Sequence, residues 1–436
     1  MSEQPGFSID TLGPCTIPSP LKLSSSPGDL IANHVDDAEC IEFNIVRTHA
    51  AEAHENLLLE RAGPRRMIRF DPAKVHAGIV TCGGLCPGLN NVIRAIVMCL
   101  WYRYGVRRIS GIRFGYTGLL AESRLPTVEL TPEIVDEIHL AGGTIIGSSR
   151  GQGNRTDELL DSVLSMGMNM LFVIGGDGTQ RAALDIAEAA KAGAHRLAVV
   201  GVPKTIDNDF SYISKSFGFE TAVDKAVEIV ACAHTEAKGA LNGISIVKVM
   251  GRESGFIAAH TALSANSVNF VLIPEVPFAL EGGNGLLALL QNRIERKQHA
   301  VIVVAEGAGQ NLLPATDARD ASGNKKLADI GMFLRDEIAA NFKKIKLAVT
   351  MRYIDPSYII RSIPAGAGDS VYCMRLGNNA AHAAMAGKTG MVVGLVNDHF
   401  VHLPIKAVVQ KRNKVDPESS LWRDVLDATG QPPIMR

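Results

Sequence analysis

The chain reads as an α/β protein: two Rossmann-like, doubly wound lobes with a cleft between them, preceded by an N-terminal extension. Three observations point there. From His76 onward short apolar strands alternate with helical stretches, the pattern of parallel sheets covered on both faces. Several strands run directly into glycine-rich or acidic loops. The chain has 436 residues, 46% of them apolar, which exceeds the size at which a single core usually stops growing. The implied organisation is an extension over 1–72, one lobe over 73–219 and 360–410, and a second lobe over 220–359 and 411–436.

The elements follow in order. The extension is rich in Ser, Pro and acid between Pro14 and Asp29 and has little strand or helix pattern; it is expected to be partly disordered, or packed on the body or a partner subunit. HAGIVT, His76–Thr81, is a strand, and CGGLCPG follows as a turn. Leu89, Val92, Ile93, Ile96, Val97 and Leu100 then repeat at helical spacing. The unit recurs as the strand Met170–Ile174, the turn GGDGT and a helix from Gln180 to Lys191, stopped by Gly193. Strands are further expected at Leu197–Val202, Gly243–Val249, Phe270–Ile273 and Ala300–Ala305, and helices at Thr221–Ala237 and Gly255–Ser264.

Composition excludes several classes. A net charge of −1 suggests neither nucleic acid nor an anionic membrane as partner, and no apolar run approaches the length of a membrane span. The start, MSEQPGFSID, lacks the pattern of a secretory signal, and the C-terminus matches no peroxisomal address, so a cytoplasmic location is expected. The seven cysteines share no spacing; Cys82 and Cys86 lack a second pair to complete a zinc site, and reduced thiols are expected.

Four loops carry candidate chemistry. In GGDGT, Gly175–Thr179, two glycines let the backbone turn sharply and approach a ligand. The next helix points free N–H groups at the loop, which favours phosphate. Asp177 makes sense there if it holds Mg²⁺ against phosphate oxygens; the competing reading is an ordinary turn with Asp as a cap. PKTIDND, Pro203–Asp209, sets Asp207 and Asp209 just past a strand end, where ligands bind in open α/β sheets. One carboxylate can be a general base while the other aids a metal or holds a loop; the alternative is a solvated acidic turn. In MGRESG, Met250–Gly255, Arg252 can fork onto a phosphate, or be a surface Arg at a helix start, where its charge is awkward. CGGLCPG, Cys82–Gly88, has the layout of a phosphate cradle but is not G-x-G-x-x-G, a motif absent from the chain. AGKT, Ala386–Thr389, ends like a P-loop, yet His382 stands where the upstream glycine is required. His260 reads as a satisfied core or interface side chain, Trp101 and Tyr102 as packing residues, and the basic residues of Arg61–Arg69 as a solvated face, with an effector phosphate site as the alternative.

GGDGT, PKTIDND and MGR in this order and spacing resemble the phosphofructokinase family, across roughly residues 76–404. The likeness is greatest to the long-chain group with plant and trypanosomatid ATP-dependent members, which shares the extension and the PKTIDND spelling. The resemblance implies roles. Asp207 corresponds to the base that takes the proton of the sugar 1-hydroxyl, Asp177 to the Mg²⁺ carboxylate, Asp209 to a nearby acid that organises the metal site, and Thr205 to a residue at the transferring phosphoryl group. Gly83, Tyr116, Arg150, Gly176, Gly178, Thr179 and Lys204 correspond to nucleotide-side positions. Met250, Gly251, Arg252, Glu306 and Tyr358 correspond to sugar-phosphate contacts, and Arg352 and Arg361 to cations on the 6-phosphate. Arg352 is one the family supplies from a neighbouring subunit, which implies a homo-oligomer, by family habit an allosteric homotetramer of glycolysis. Tyr358 stands where short bacterial members have His, and Gly243 where they have Arg. Pyrophosphate-using relatives usually carry Asp at the position of Gly178 and Lys at that of Lys204. Glycine leaves room for the α-phosphate of ATP, while Lys204 suits either donor. The reading is therefore transfer from ATP to fructose 6-phosphate, with pyrophosphate as the alternative donor. NAD and lipid kinases share GGDGT but are not expected to combine PKTIDND with MGR, and a non-catalytic regulatory subunit is expected to have lost Asp207 or Arg252.

Overall fold

The computed structural model describes residues 6–46, 57–314, 318 and 326–436. These form two compact units. Unit 1 takes the described residues up to Thr205, then Phe210–Gly218 and Ile363–Arg412; unit 2 takes Ile206–Asp209, the described residues of Phe219–Ser362, and Asn413–Arg436. The chain thus exchanges units at 218/219, 362/363 and 412/413, beside the expected 219/220, 359/360 and 410/411. It also makes a short excursion over 206–209 that carries both carboxylates of the acidic loop.

Among the described residues, unit 1 is built on a seven-stranded sheet ordered His399–Pro404, Met391–Val396, Ala198–Pro203, Met170–Gly175, His76–Thr81, Arg108–Ile112, Val128–Glu129. Its five inner strands are parallel, as the alternation of strands and helices indicates, and both edge strands are antiparallel. The cause at one edge is the two-residue turn Asn397–Asp398, with φ of +47° and +61°; so short a link can only return the chain antiparallel. The three central strands, His76–Thr81, Met170–Gly175 and Ala198–Pro203, are buried along their whole length, as sheets covered on both faces require. Leu171 and Val173 pack with Leu159, Val163 and Ile186 from the helices Thr156–Ser165 and Asp177–Ala192, while Phe172 and Ile174, of opposite parity, are also buried. The helix Ala367–Met385 lies close on Leu89–Met98 because Gly377 has no side chain; a Cβ there would fall 2.7 Å from Ala95 Cβ.

The described part of the extension forms three short strand pairings, one of them with the body of unit 1. Asp10–Thr11 pairs with Lys388–Thr389, Ile17–Pro18 with Met67–Ile68, and Cys40–Glu42 with Leu58–Glu60. The expectation of disorder at 1–5 and 47–56 falls outside the described residues. The basic segment near residue 65 is not all a solvated face: Arg65 is 4% exposed and donates to Asp37 Oδ1 at 2.7 Å and Glu60 Oε1 at 2.8 Å. Lys388 Nζ and His402 Nδ1 also reach Glu60 Oε1, at 2.8 and 2.9 Å. Of the aromatic pair expected to pack, Tyr102 is exposed. All seven cysteines are free thiols.

Unit 2 has a four-stranded parallel sheet among the described residues, ordered Phe270–Leu272, His299–Ala305, Gly243–Val249, Thr350–Ile354. Side-chain parity divides it cleanly. Val247, Val249, Val301 and Val303 face Val230, Ile257 and Trp422 from the helices Phe219–Gly239, Phe256–Ala265 and Ser420–Thr429. Ile244, Ile246, Ile302 and Val304 face Leu290, Leu334 and Ile338 from Leu286–Lys297 and Ile330–Lys344. Each unit is therefore a sheet wound on both sides.

Candidate active site

In unit 1 the strands His76–Thr81, Met170–Gly175 and Ala198–Pro203 are parallel neighbours that end together, Thr81 opposite Ile174 and Gly175 opposite Pro203. The loops they feed share one rim, at the carboxyl ends where open sheets bind ligands. Gly83 turns with φ +90°, and a side chain there would sit 3.3 Å from Lys204 Nζ. Lys204, 8% exposed, lies across the turn and donates to Gly84 O at 2.8 Å. A side chain on Gly84 would meet Arg150 Nη2 at 3.3 Å. Two cations thus close on backbone that only glycine lets them approach.

Asp177 opens its helix, three residues earlier than the periodicity indicates, behind an extended Gly176. Its carboxylate lies 3.2 Å from Arg181 Nη2 and 3.9 Å from Arg412 Nη2. Gly178 follows in the first turn, and a Cβ built on it meets nothing within 4 Å. Thr179 folds its side chain over Gly175, where a Cβ would lie 2.4 Å from it. Tyr116, 1% exposed, donates its hydroxyl to Thr179 O at 2.9 Å; it braces the helix start from within. Ser216 Oγ donates to Thr205 O at 2.7 Å. Gln180, which belongs to no motif, is buried and directs Nε2 at the carbonyls of Val173, Gly175 and Val202, at 3.1, 3.1 and 3.2 Å. It ties two strand ends to the helix that carries Asp177. The available signal was its helical spacing with the buried Ala183 and Ala187.

In unit 2 the strands Gly243–Val249, His299–Ala305 and Thr350–Ile354 also end at a common rim, with Val249 opposite Ala305 and Val247 opposite Ile354. The loops beyond are laced together: Glu306 N donates to Val249 O and Gly307 N to Gly251 O, both at 3.0 Å. Gly251 sits at φ +128°, and a Cβ on Gly307 would fall 1.8 Å from Arg252 O. Burial pushes the Glu306 carboxyl up, the nearby charges of Arg252, Lys248 and Arg361 pull it back, and Asp355 adds to the rise. Glu306 therefore stands among three cations. Lys248 Nζ bridges Asp329 and Asp355 at 2.9 Å each. Arg361 stacks its guanidinium 4.4 Å from the Tyr358 ring centre, and Met250 is buried beside the loop.

The acidic turn belongs to this unit. Asp209 is buried, and Asn208 between the two acids has φ +56°, a conformation Asn tolerates better than most residues. Arg352 is not brought to this group within the chain. Its strand parity places it with Ile354, on the face of Phe219–Gly239, while Tyr353 turns oppositely to Asp329. Its side chain is 51% exposed, with Nε 3.6 Å from Glu236 Oε2.

The sequence profile described as Phosphofructokinase matches residues 76–384. The chain belongs to the phosphofructokinase family. It is 53% identical to the ATP-dependent 6-phosphofructokinase of Borreliella burgdorferi, over 100% of this chain and 99% of that one. It is 47% identical to the enzyme of the same name from Trypanosoma cruzi, over 86% and 77% of the two chains. Among solved structures it resembles a phosphofructokinase from Nitrosospira multiformis titled as pyrophosphate-dependent, with a TM-score of 0.67 at 18% identity, over 83% of this chain and 93% of that one; this likeness concerns the fold alone. Among the described residues no helix is long and apolar enough to cross a membrane, and no group of three or more His, Cys, Asp or Glu side chains could hold a metal alone.

Proposed function

We propose that this phosphofructokinase family member transfers a phosphoryl group from ATP to the 1-hydroxyl of fructose 6-phosphate, as an ATP-dependent 6-phosphofructokinase. Full-length kinship with relatives of that name supports the reaction. One observation carries the donor: the open space at Gly178, on the first turn of a helix whose free N–H groups favour phosphate. In this reading the unit 1 rim takes the nucleotide. Gly83, Gly176, Gly178 and Thr179 offer close backbone approach, Lys204 and Arg150 meet phosphate charge, and Tyr116 holds the helix start.

Mg²⁺ is the cofactor we propose, with Asp177 as its protein ligand. A single, partly exposed carboxylate at a helix start fits this ion, which is usually held by one or two carboxylates plus substrate phosphates. Bound there, it would neutralise charge on the phosphoryl oxygens. The chain's own residues do the rest. Asp207 accepts the proton of the attacking hydroxyl, Asp209 orders the acidic turn, and Thr205 stands at the transferring group. Arg252 and Arg361 bind the sugar phosphate, joined by Met250, Gly251, Glu306 and Tyr358. Positioning and charge neutralisation supply most of the rate.

We read Arg352 as a contribution to a neighbouring subunit's site, a reading supported by its exposure and by its face of the sheet. An allosteric homotetramer acting in cytoplasmic glycolysis completes the proposal, and sedimentation of the full chain tests the assembly. The reaction itself is tested by steady-state assay with fructose 6-phosphate, comparing ATP with pyrophosphate as sole donor. Turnover with pyrophosphate alone would establish the rival, which Lys204 also suits.

A further inference from the structure

The edge strand of the unit 2 sheet, Phe270–Leu272, leads to Glu275, a residue outside every motif above. Its Oε1 accepts two backbone N–H groups, from Gly255 at 3.0 Å and from Val415 at 2.8 Å. Its Oε2 is buried and has no hydrogen-bond partner among the described residues. Gly255 ends the Met250–Gly255 loop and caps the helix Phe256–Ala265. A side chain there would fall 2.4 Å from Ile273 Cβ and 3.1 Å from Glu275 Oε2, so only glycine lets the loop press on the carboxylate.

Both amides lead on to the acidic turn. One residue before Gly255, the buried Ser254 donates Oγ to Asp207 O at 3.2 Å. Two residues before Val415, Asn413 donates its N–H to Asp209 O at 2.8 Å. Glu275 is the shared anchor of two arms. One runs through Gly255 and Ser254 to Asp207, the other through Val415 and Asn413 to Asp209. An acceptor with several lone pairs is what two donors from distant segments require, and an ionised one makes each bond stronger.

We propose that Glu275 is a positioning residue for phosphoryl transfer, fixing the Asp207–Asp209 turn against the Arg252 loop; the proposal rests on the function argued above. Displacing a catalytic group by about 1 Å costs on the order of 100-fold, and Glu275 controls the backbone of both acids without touching substrate.

The test compares full-length wild type, Glu275→Ala and Glu275→Gln in steady-state assays with ATP and fructose 6-phosphate, alongside peptide-level hydrogen exchange over 250–258 and 412–418. In Glu275→Ala, kcat should fall roughly 30- to 100-fold. The KM for ATP should stay within about twofold, and exchange should quicken in both peptides. Glu275→Gln keeps an acceptor oxygen and should recover most of the lost kcat. A folded Glu275→Ala with near-wild-type kcat overturns the proposal, as does a glutamine variant equally impaired toward both substrates. Should the alanine variant not fold, Glu275→Asp decides: the acceptor is withdrawn by one methylene, so lowered kcat at unchanged ATP KM supports the role and unchanged kcat overturns it. Wild type inactive with ATP would sink the functional reading instead, and the exchange arm would then still report whether Glu275 holds both amides.

Discussion

Gly178→Asp separates a donor-pocket role from a folding role. The glycine lies in the first turn of its helix without positive φ, and a Cβ there has nothing within 4 Å. The substitution should therefore leave the fold intact. Asp is only a few tenths of a kcal/mol better than Gly in intrinsic helix propensity, and an acid in the first turn adds about 0.3–1 kcal/mol through the helix dipole. Catalysis should move the other way. A carboxylate about 5 Å from a donor phosphate, at an effective dielectric of about 20, is repelled by roughly 3 kcal/mol per unit charge. That is roughly two orders of magnitude in rate. The assay is kcat/KM for ATP at saturating fructose 6-phosphate, with thermal melting in parallel. The expected result is a loss of about 100-fold with unchanged or raised melting temperature. An ATP kcat/KM within about threefold of wild type in the folded variant would refute the assignment of this turn to the donor.

Three further outcomes are expected. Asp207→Asn keeps the shape of the side chain but removes the base, so kcat should drop by about 10²–10⁴ with little change in either KM; a kcat within about tenfold would place the base elsewhere. Gln180→Leu removes the donor shared by the Val173, Gly175 and Val202 carbonyls and should lower unfolding free energy by about 1–2 kcal/mol in urea titration, an unchanged midpoint counting against the brace. Burial pushes Glu60 up, but hydrogen bonds and charge from His402 and Lys388 more than offset it and hold the carboxyl at about 2. A depressed folded pKa contributes stability that is present above the ordinary value near 4.5 and lost as pH falls toward about 2. Below pH 4.5 the stability gap between wild type and Glu60→Gln should therefore narrow; a gap that is constant from pH 6 to 3 in urea unfolding would refute it.

Much of the fold was legible because buried parallel strands write themselves as apolar runs: His76–Thr81 and Gly243–Val249 stand where HAGIVT and GISIVKV indicate. What stayed hidden lacks that contrast. Ala367–Met385 is rich in Gly, Ala and Asn because it must approach another helix closely, and small residues give no apolar stripe. The antiparallel edge at Asn397–Asp398 depends on turn geometry at two residues. Arg65 reads as one of several surface cations because its acids, Asp37 and Glu60, belong to no local pattern. The same division holds at the site. Asp177, Asp207 and Arg252 are visible because strand, glycine and charge coincide in one short loop. Gln180, Ser254 and Glu275 act by hydrogen-bonding backbone, and Glu275 finds its partners 20 and 140 residues away, so no local pattern announces them.

The heptapeptide Pro203–Asp209 shows why such braces matter. Its first three residues belong to unit 1 and its last four to unit 2. Covalent geometry holds Thr205 and Asp207 within about 7 Å at the Cα level, whatever the rest of the chain does. Orientation is another matter, since φ and ψ at Ile206 and Asp207 are soft. The acidic turn therefore needs hydrogen bonds to fix its direction, and those come from Ser254 on one side and Asn413 on the other. Proximity is encoded by the short motif; alignment is encoded by residues that no motif contains, which is why variants at Glu275 should affect kcat before they affect affinity for ATP.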